Sequence, residues 1–278
     1  MENVKTDAFP SDSGCKVILI TSCKGGVGKS TVAANLAYAL AKKGKRTLVI
    51  DCDFSNRSLD LIFGYEDMII YDICDVVLGR TTIERAAVKS DRSDNLFFCA
   101  APFELESEFT REQFDEAIEK AKSALSLDFI LIDTSCAAGD TLKLVSHAAS
   151  EALVVVSHQP TATRAAERTG MMLDELGLTE QKLIVNSFDS EAVLEDIRIG
   201  INELIDRTNI GIIGIVPYAY RLSVSQEYGL LCADVDNDSE MKRLTAAFDN
   251  IAGRVCGESV PLLKKVYGGK KRRQILSR

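Results

Sequence analysis

Between Thr21 and Thr31 the chain reads TSCKGGVGKST, so three glycines, two lysines and a terminal pair of hydroxyl residues fall within eleven positions. Glycines let successive backbone N–H groups turn toward one anion without obstruction by a Cβ atom. Lys29 is placed to reach the outer phosphates of a nucleoside triphosphate, and the Ser30 hydroxyl is a ligand type for Mg2+. Gly25, Gly26, Val27, Gly28 and Thr31 complete the candidate cradle. The strict pattern G-x-x-x-x-G-K-[ST] has glycine where this chain has Cys23. That position lies ahead of the phosphate-contacting turn, so a cysteine fits there if its φ is negative.

Carboxylates stand where such a loop needs them. Asp51 and Asp53 follow the apolar run RTLVI, and Asp133 follows FILI. An aspartate after four apolar residues is the Walker B arrangement, which holds Mg2+ through water. Asp51 is expected to support Lys29 or the metal's shell.

These side chains need elements to position them. Apolar runs at 16–21, 46–51, 95–100, 129–134, 152–157, 182–187 and 210–217 are continuous rather than alternating, as in strands buried on both faces. Helical patterns lie between them. STVAANLAYALAKKGK ends near Gly44, a natural C-terminal stop. TREQFDEAIEKAKSAL opens with Thr110 and Gln113 as a capping box. TRAAERTGMMLDELG and LEDIRIGINELIDRT each read as one helix, and a last helix spans about 239–256. The alternation predicts an α/β fold, a mainly parallel sheet flanked by helices on both faces, with its site at the carboxyl ends of the strands. The expected organisation is a flexible leader over 1–14, one P-loop domain over 15–256, and a linker and tail over 257–278.

Composition narrows the classes. The chain has 278 residues, 46% hydrophobic and 27% charged, with net charge −8. No apolar run approaches the roughly 20 residues that span a bilayer, and the start lacks the apolar stretch of a signal peptide; a cytoplasmic protein is expected. None of the eight cysteines forms a C-x-x-C pair. They read as reduced thiols, Cys23, Cys52 and Cys136 near the loop among them. His147 and His158 read as structural.

The run KGGVGKST resembles the deviant phosphate loop of the ParA/MinD class of ATPases. The resemblance continues through KGKRTLVIDCDFSNRSLDLIFG, YDICDVVLG, DFILIDTS and IGIIGIVP, over about residues 16–269. It implies a P-loop ATPase of the deviant Walker A class, with ATP or ADP and Mg2+ as ligands. It also implies a homodimer with nucleotide between the subunits, in which Lys24 reaches the partner's phosphates and makes slow hydrolysis depend on dimerisation. On the same basis Asp53 orients the attacking water and joins Ser30 and Asp133 around Mg2+, while Asn186 and Pro217 contact adenine. TSCAAGD lacks the proline usual after Asp133, and Ala165 stands where MinD-type members have an aspartate. These departures bear on hydrolysis rate and partner coupling rather than on nucleotide binding.

The final stretch is unlike the body. From Leu262 to Arg278 there are seven basic residues and no acidic one, against 26 basic and 41 acidic residues elsewhere. An acidic body is a poor nonspecific DNA binder, which disfavours the ParA-type partition alternative. Leu262, Leu263, Val266 and Tyr267 would share one helix face, edged by Lys264 and Lys265. Such a segment can fold on an anionic membrane surface. LLKKVYGG also resembles the membrane-targeting motif of MinD-type members. The implied behaviour is a switch: cytoplasmic when not ATP-bound, peripheral on the inner face of the cell membrane when ATP-bound, assisted by an activator of the Min type and serving spatial control of cell division. A weakly hydrolysing localisation scaffold is the other alternative.

Overall fold

The computed structural model describes residues 14–104, 108–136, 139–235 and 237–263. Eight strands form one sheet: β1 (Lys16–Thr21), β2 (Thr47–Cys52), β3 (Val88–Lys89), β4 (Leu96–Cys99), β5 (Phe129–Thr134), β6 (Glu151–Val156), β7 (Gln181–Phe188) and β8 (Ile212–Pro217). Their order is β3-β4-β2-β5-β1-β6-β7-β8. Every pairing is parallel except β3 with β4. The continuous apolar runs are explained by their position: every residue of β1, β2, β5 and β6 is buried. The two-residue antiparallel edge strand β3 has no counterpart among the predicted strands.

The helices are α1 (Lys29–Lys42), α2 (Leu59–Phe63), α3 (Ile73–Val77), α4 (Ile83–Ala86), α5 (Arg111–Ala124), α6 (Asp140–Ser146), α7 (Pro160–Glu175), α8 (Ser190–Leu194), α9 (Ile201–Thr208), α10 (Tyr220–Gln226) and α11 (Ser239–Val255). Helix α1 is rich in alanine because it is enclosed: Val32, Ala33, Ala34, Leu36, Ala37 and Leu40 have no exposed surface. The predicted capping box on α5 is present, with Gln113 N–H donating to Thr110 Oγ1 and Thr110 N–H donating to Gln113 Oε1.

Two helix expectations need correction. The stretch 194–208 is not one helix. Asp196 takes a left-handed φ of 58°, and the N–H groups of Ile197 and Arg198 both donate to Ala192 O, which closes α8. Gly200 then caps a separate α9. Helix α7 begins at Pro160, earlier than expected, because proline at a helix's first position forfeits no intrahelical bond.

Candidate functional site

β1 lies between β5 and β6, so its carboxyl end opens at the centre of the sheet. The chain leaves β1 at Thr21, turns through residues 22–28 and enters α1 at Lys29. Gly26 and Gly28 adopt φ of 73° and 86°, a region open to glycine and costly for other residues. Cys23 has no positive φ, so cysteine is accommodated as expected. The first helical bond runs from Val32 N–H to Gly28 O. The N–H groups of Lys29, Ser30 and Thr31 therefore emerge at the helix start without intrahelical partners, where the helix dipole favours an anion.

The loop is held from behind by residues distant in sequence. Asn186 donates its side-chain amide to Val27 O at 2.8 Å, and a Cβ on Gly28 would overlap that same amide nitrogen. Asn186 thus buttresses the loop directly. Cys23 N–H donates to Thr169 Oγ1 at 3.0 Å, and the Thr169 hydroxyl donates to Ala165 O within α7. The Lys24 ammonium donates to Gln159 Oε1 at 2.8 Å and to Thr161 Oγ1 at 3.0 Å, at the start of α7. Thr31 Oγ1 donates to Gln226 Oε1 on α10. Pro217 ends β8, two strands beyond β6.

The carboxylates divide into two kinds. Asp51 and Asp133 are direct partners across β2 and β5, and both are fully buried. Asp51 accepts backbone N–H bonds from Asp53 on one oxygen and from Ser58 and Leu59 on the other. It therefore shapes the loop that carries Asp53. Burial pushes its pKa up to about 6 against the lowering effect of those bonds. Asp133 has no hydrogen bond to either oxygen among the described residues. Burial, and then the nearby Asp51 charge, hold its pKa well above the usual carboxylate range. The Ser30 hydroxyl and Lys29 ammonium oppose that shift from close by, although Ser30 makes no hydrogen bond of good geometry to Asp133. Ser30 Oγ instead accepts from Ser58 Oγ at 3.1 Å.

Asp53 is nearly buried, and its Oδ1 accepts from Ser55 N–H, Ser55 Oγ and Asn56 N–H. The loop thus fixes Asp53 by an Asx turn. A buried carboxylate with no donor, beside a hydroxyl and an ammonium at an anion-binding helix start, suits a divalent cation and its phosphate counter-ions. Among the described residues no three His, Cys, Asp or Glu side chains converge as a metal cage. Mg2+ is compatible with that, because it usually keeps several waters and binds few protein carboxylates alongside phosphate oxygens.

Lys24, Lys29, Ser30, Asp51, Asp53, Asp133 and Asn186, all expected at one end of the sheet, lie there. Ser58, Gln159, Thr161 and Thr169, the side chains that hold the loops, were not among the expected site residues. Gln159 and Thr161 had one available signal: they follow the run 152–157, a strand whose carboxyl end had to lie near the loop. The cysteines near the site separate, with Cys52 buried and Cys136 exposed. Leu262 and Leu263 are half-buried against the core outside any helix, whereas Lys264, Lys265, Val266 and Tyr267 lie outside the described residues, as does the leader up to residue 13.

A glycine-rich loop between a central parallel strand and a buried helix, with aspartates at the ends of β5 beside that strand and of β2 beyond it, defines a P-loop nucleotide-binding protein. Residues 18–232 match the family model of the CobQ/CobB/MinD/ParA nucleotide binding domain. The septum site-determining protein MinD of Bacillus subtilis is 34% identical over 251 residues, which cover 89% of this chain and 91% of that one. MinD of Synechocystis is 33% identical over 249 residues, covering 89% and 92%. In the solved MinC:MinD cell division protein complex of Aquifex aeolicus, the matched chain superposes with a TM-score of 0.83 at 34% identity, covering 92% of this chain and all of that chain. This chain belongs to the MinD group of that family, the septum site-determining ATPases. Among the described residues no helix is long and apolar enough to cross a membrane.

Proposed function

We propose that this chain is an ATP-driven switch that hydrolyses ATP slowly, dimerises around it, and binds an anionic membrane surface as the dimer. The observation that carries the reading is the donorless buried carboxylate of Asp133, set beside Ser30 and Lys29 at the open end of α1. Asp133 and Ser30 would hold Mg2+, which would supply charge neutralisation at the phosphates.

The residues of the chain do the rest. N–H groups from Gly25 through Thr31 and the Lys29 ammonium bind the phosphates and fix the terminal one in line. Asp53, locked through Oδ1 by Ser55 and Asn56, keeps its other oxygen for the attacking water. Asn186 and Pro217 bound the base side. Lys24 is bonded to Gln159 and Thr161 of its own chain, and in the dimer it would leave them for the partner's phosphates, stabilising the charge that develops in hydrolysis. Two tails on one dimer bind a surface far more strongly than one, which couples ATP to membrane attachment. The Aquifex relative is solved as a MinC:MinD complex, and a MinC-like partner is the corresponding effector here.

Light scattering with Asp53→Asn protein in ATP and in ADP tests the dimer step. The reading expects a dimer in ATP and a monomer in ADP, and a monomer in both contradicts it. ATP binding with dimerisation but no phosphate release from the unsubstituted chain would favour the scaffold alternative, for which the proline-free segment after Asp133 is the motivating feature.

A further inference from the structure

Residues 256–263, the described part of the chain after α11, fold back along the body. Gly257, with φ of 82°, reverses it, and the Gly257 and Glu258 N–H groups return to Arg254 O and Gly253 O. Gly253 makes the return possible, because a Cβ there would press on Val260 and Glu258. The Arg254 side chain is 2% exposed, and its guanidinium donates to Val260 O at 2.8 Å. The Glu258 carboxylate takes both its oxygens to the Lys43 ammonium just beyond α1, at 2.9 and 3.0 Å. Leu262 and Leu263 then lie half-buried against the core. Residues 257–263 form a strap bonded to both α1 and α11, at their C-terminal ends and so far from the phosphate loop.

We infer that this strap is an autoinhibitory contact: it keeps Leu262 and Leu263 on the body, so a membrane must compete with the protein for them. The inference rests on the membrane reading of the tail. The two leucines cannot pack on the core in a non-helical stretch and at the same time form the apolar face of an inserted helix with Val266 and Tyr267. Loosening the strap therefore strengthens attachment, although neither Lys43 nor Glu258 belongs to the apolar face.

Two substitutions separate this from simple electrostatics. Lys43→Gln and Glu258→Gln both break the bridge, but they change the net charge in opposite directions. Sedimentation with anionic phosphatidylglycerol vesicles in ATP is expected to show both variants binding about two- to fivefold more tightly than the unsubstituted chain, the scale of one partly exposed ion pair. Hydrogen exchange without vesicles should show faster exchange at residues 257–263 in both. Affinities that follow the charge, with Glu258→Gln tighter and Lys43→Gln weaker, overturn the inference. So do unchanged affinities. If the unsubstituted chain fails to bind vesicles in ATP, the membrane reading itself falls, and exchange rates at 257–263 still report whether the strap exists.

Discussion

Asp51 and Asp133 sit opposite each other on paired parallel strands; the first accepts three backbone hydrogen bonds, and the second none among the described residues. One aspartate shapes a loop, and the other is left with buried oxygens and no donor. Leaving a carboxylate so is costly unless a cation completes it. The pair locates the division between structure and function in this site.

That cost predicts a trade of stability for function. In nucleotide-free protein Asp133→Asn removes a buried group that must either carry a charge or take up a proton on folding, so it should raise the melting temperature. Because the folded-state pKa of Asp133 is raised, its destabilisation is absent below the unfolded-state pKa and grows as pH rises toward the folded value. The melting-temperature gain should therefore be present at pH 8 and fade as pH falls toward about 4. Mg2+-dependent phosphate release should be lost in the same variant. A variant melting below the unsubstituted chain at pH 8 would show that Asp133 is satisfied without a cation.

Gly28→Ala should weaken ATP binding at least about tenfold, since a Cβ there meets the Asn186 amide and the backbone has φ of 86°. Titration with a fluorescent ATP analogue measures this. Asn186→Ala should weaken binding less, because it removes one hydrogen bond, worth about 1 kcal/mol, and leaves the turn geometry allowed.

Thr169→Val keeps shape but leaves Cys23 N–H without its acceptor, at a cost of about 1–3 kcal/mol. Urea unfolding should show the loss. An unchanged midpoint would mean that water replaces the hydroxyl.

Lys24→Ala should retain ATP binding and lose dimer-dependent hydrolysis. It gives up only side-chain bonds to Gln159 and Thr161 within its own chain. Phosphate release measured against protein concentration separates the cases: a steep dependence for the unsubstituted chain, and a flat low rate for the variant. A steep dependence in both would remove Lys24 from the partner's site.

The seven parallel strands were legible because burial on both faces leaves continuous apolar runs. The phosphate loop was legible because few other needs concentrate glycine and lysine between a strand and a helix. Short elements were not. α2, α3, α4, α6 and α10 are at most seven residues long, too short for a helical period to stand out, and β3 has only two residues. The break at Asp196 was hidden because apolar spacing continues across it; the left-handed turn replaces helix without altering the pattern. Contacts such as Thr169 with Cys23 span 146 positions and depend on which strands become neighbours, which no local pattern records.

Control of membrane attachment by ATP, exerted through the C-terminal segment, is the core of the proposed switch. It is tested most directly by sedimenting the full chain, and one ending at residue 261, with phosphatidylglycerol vesicles in ATP and in ADP. The full chain should pellet in ATP and stay in the supernatant in ADP, and the shortened chain should stay in the supernatant in both. Equal pelleting of the full chain in ATP and ADP, or undiminished pelleting of the shortened chain, would contradict it.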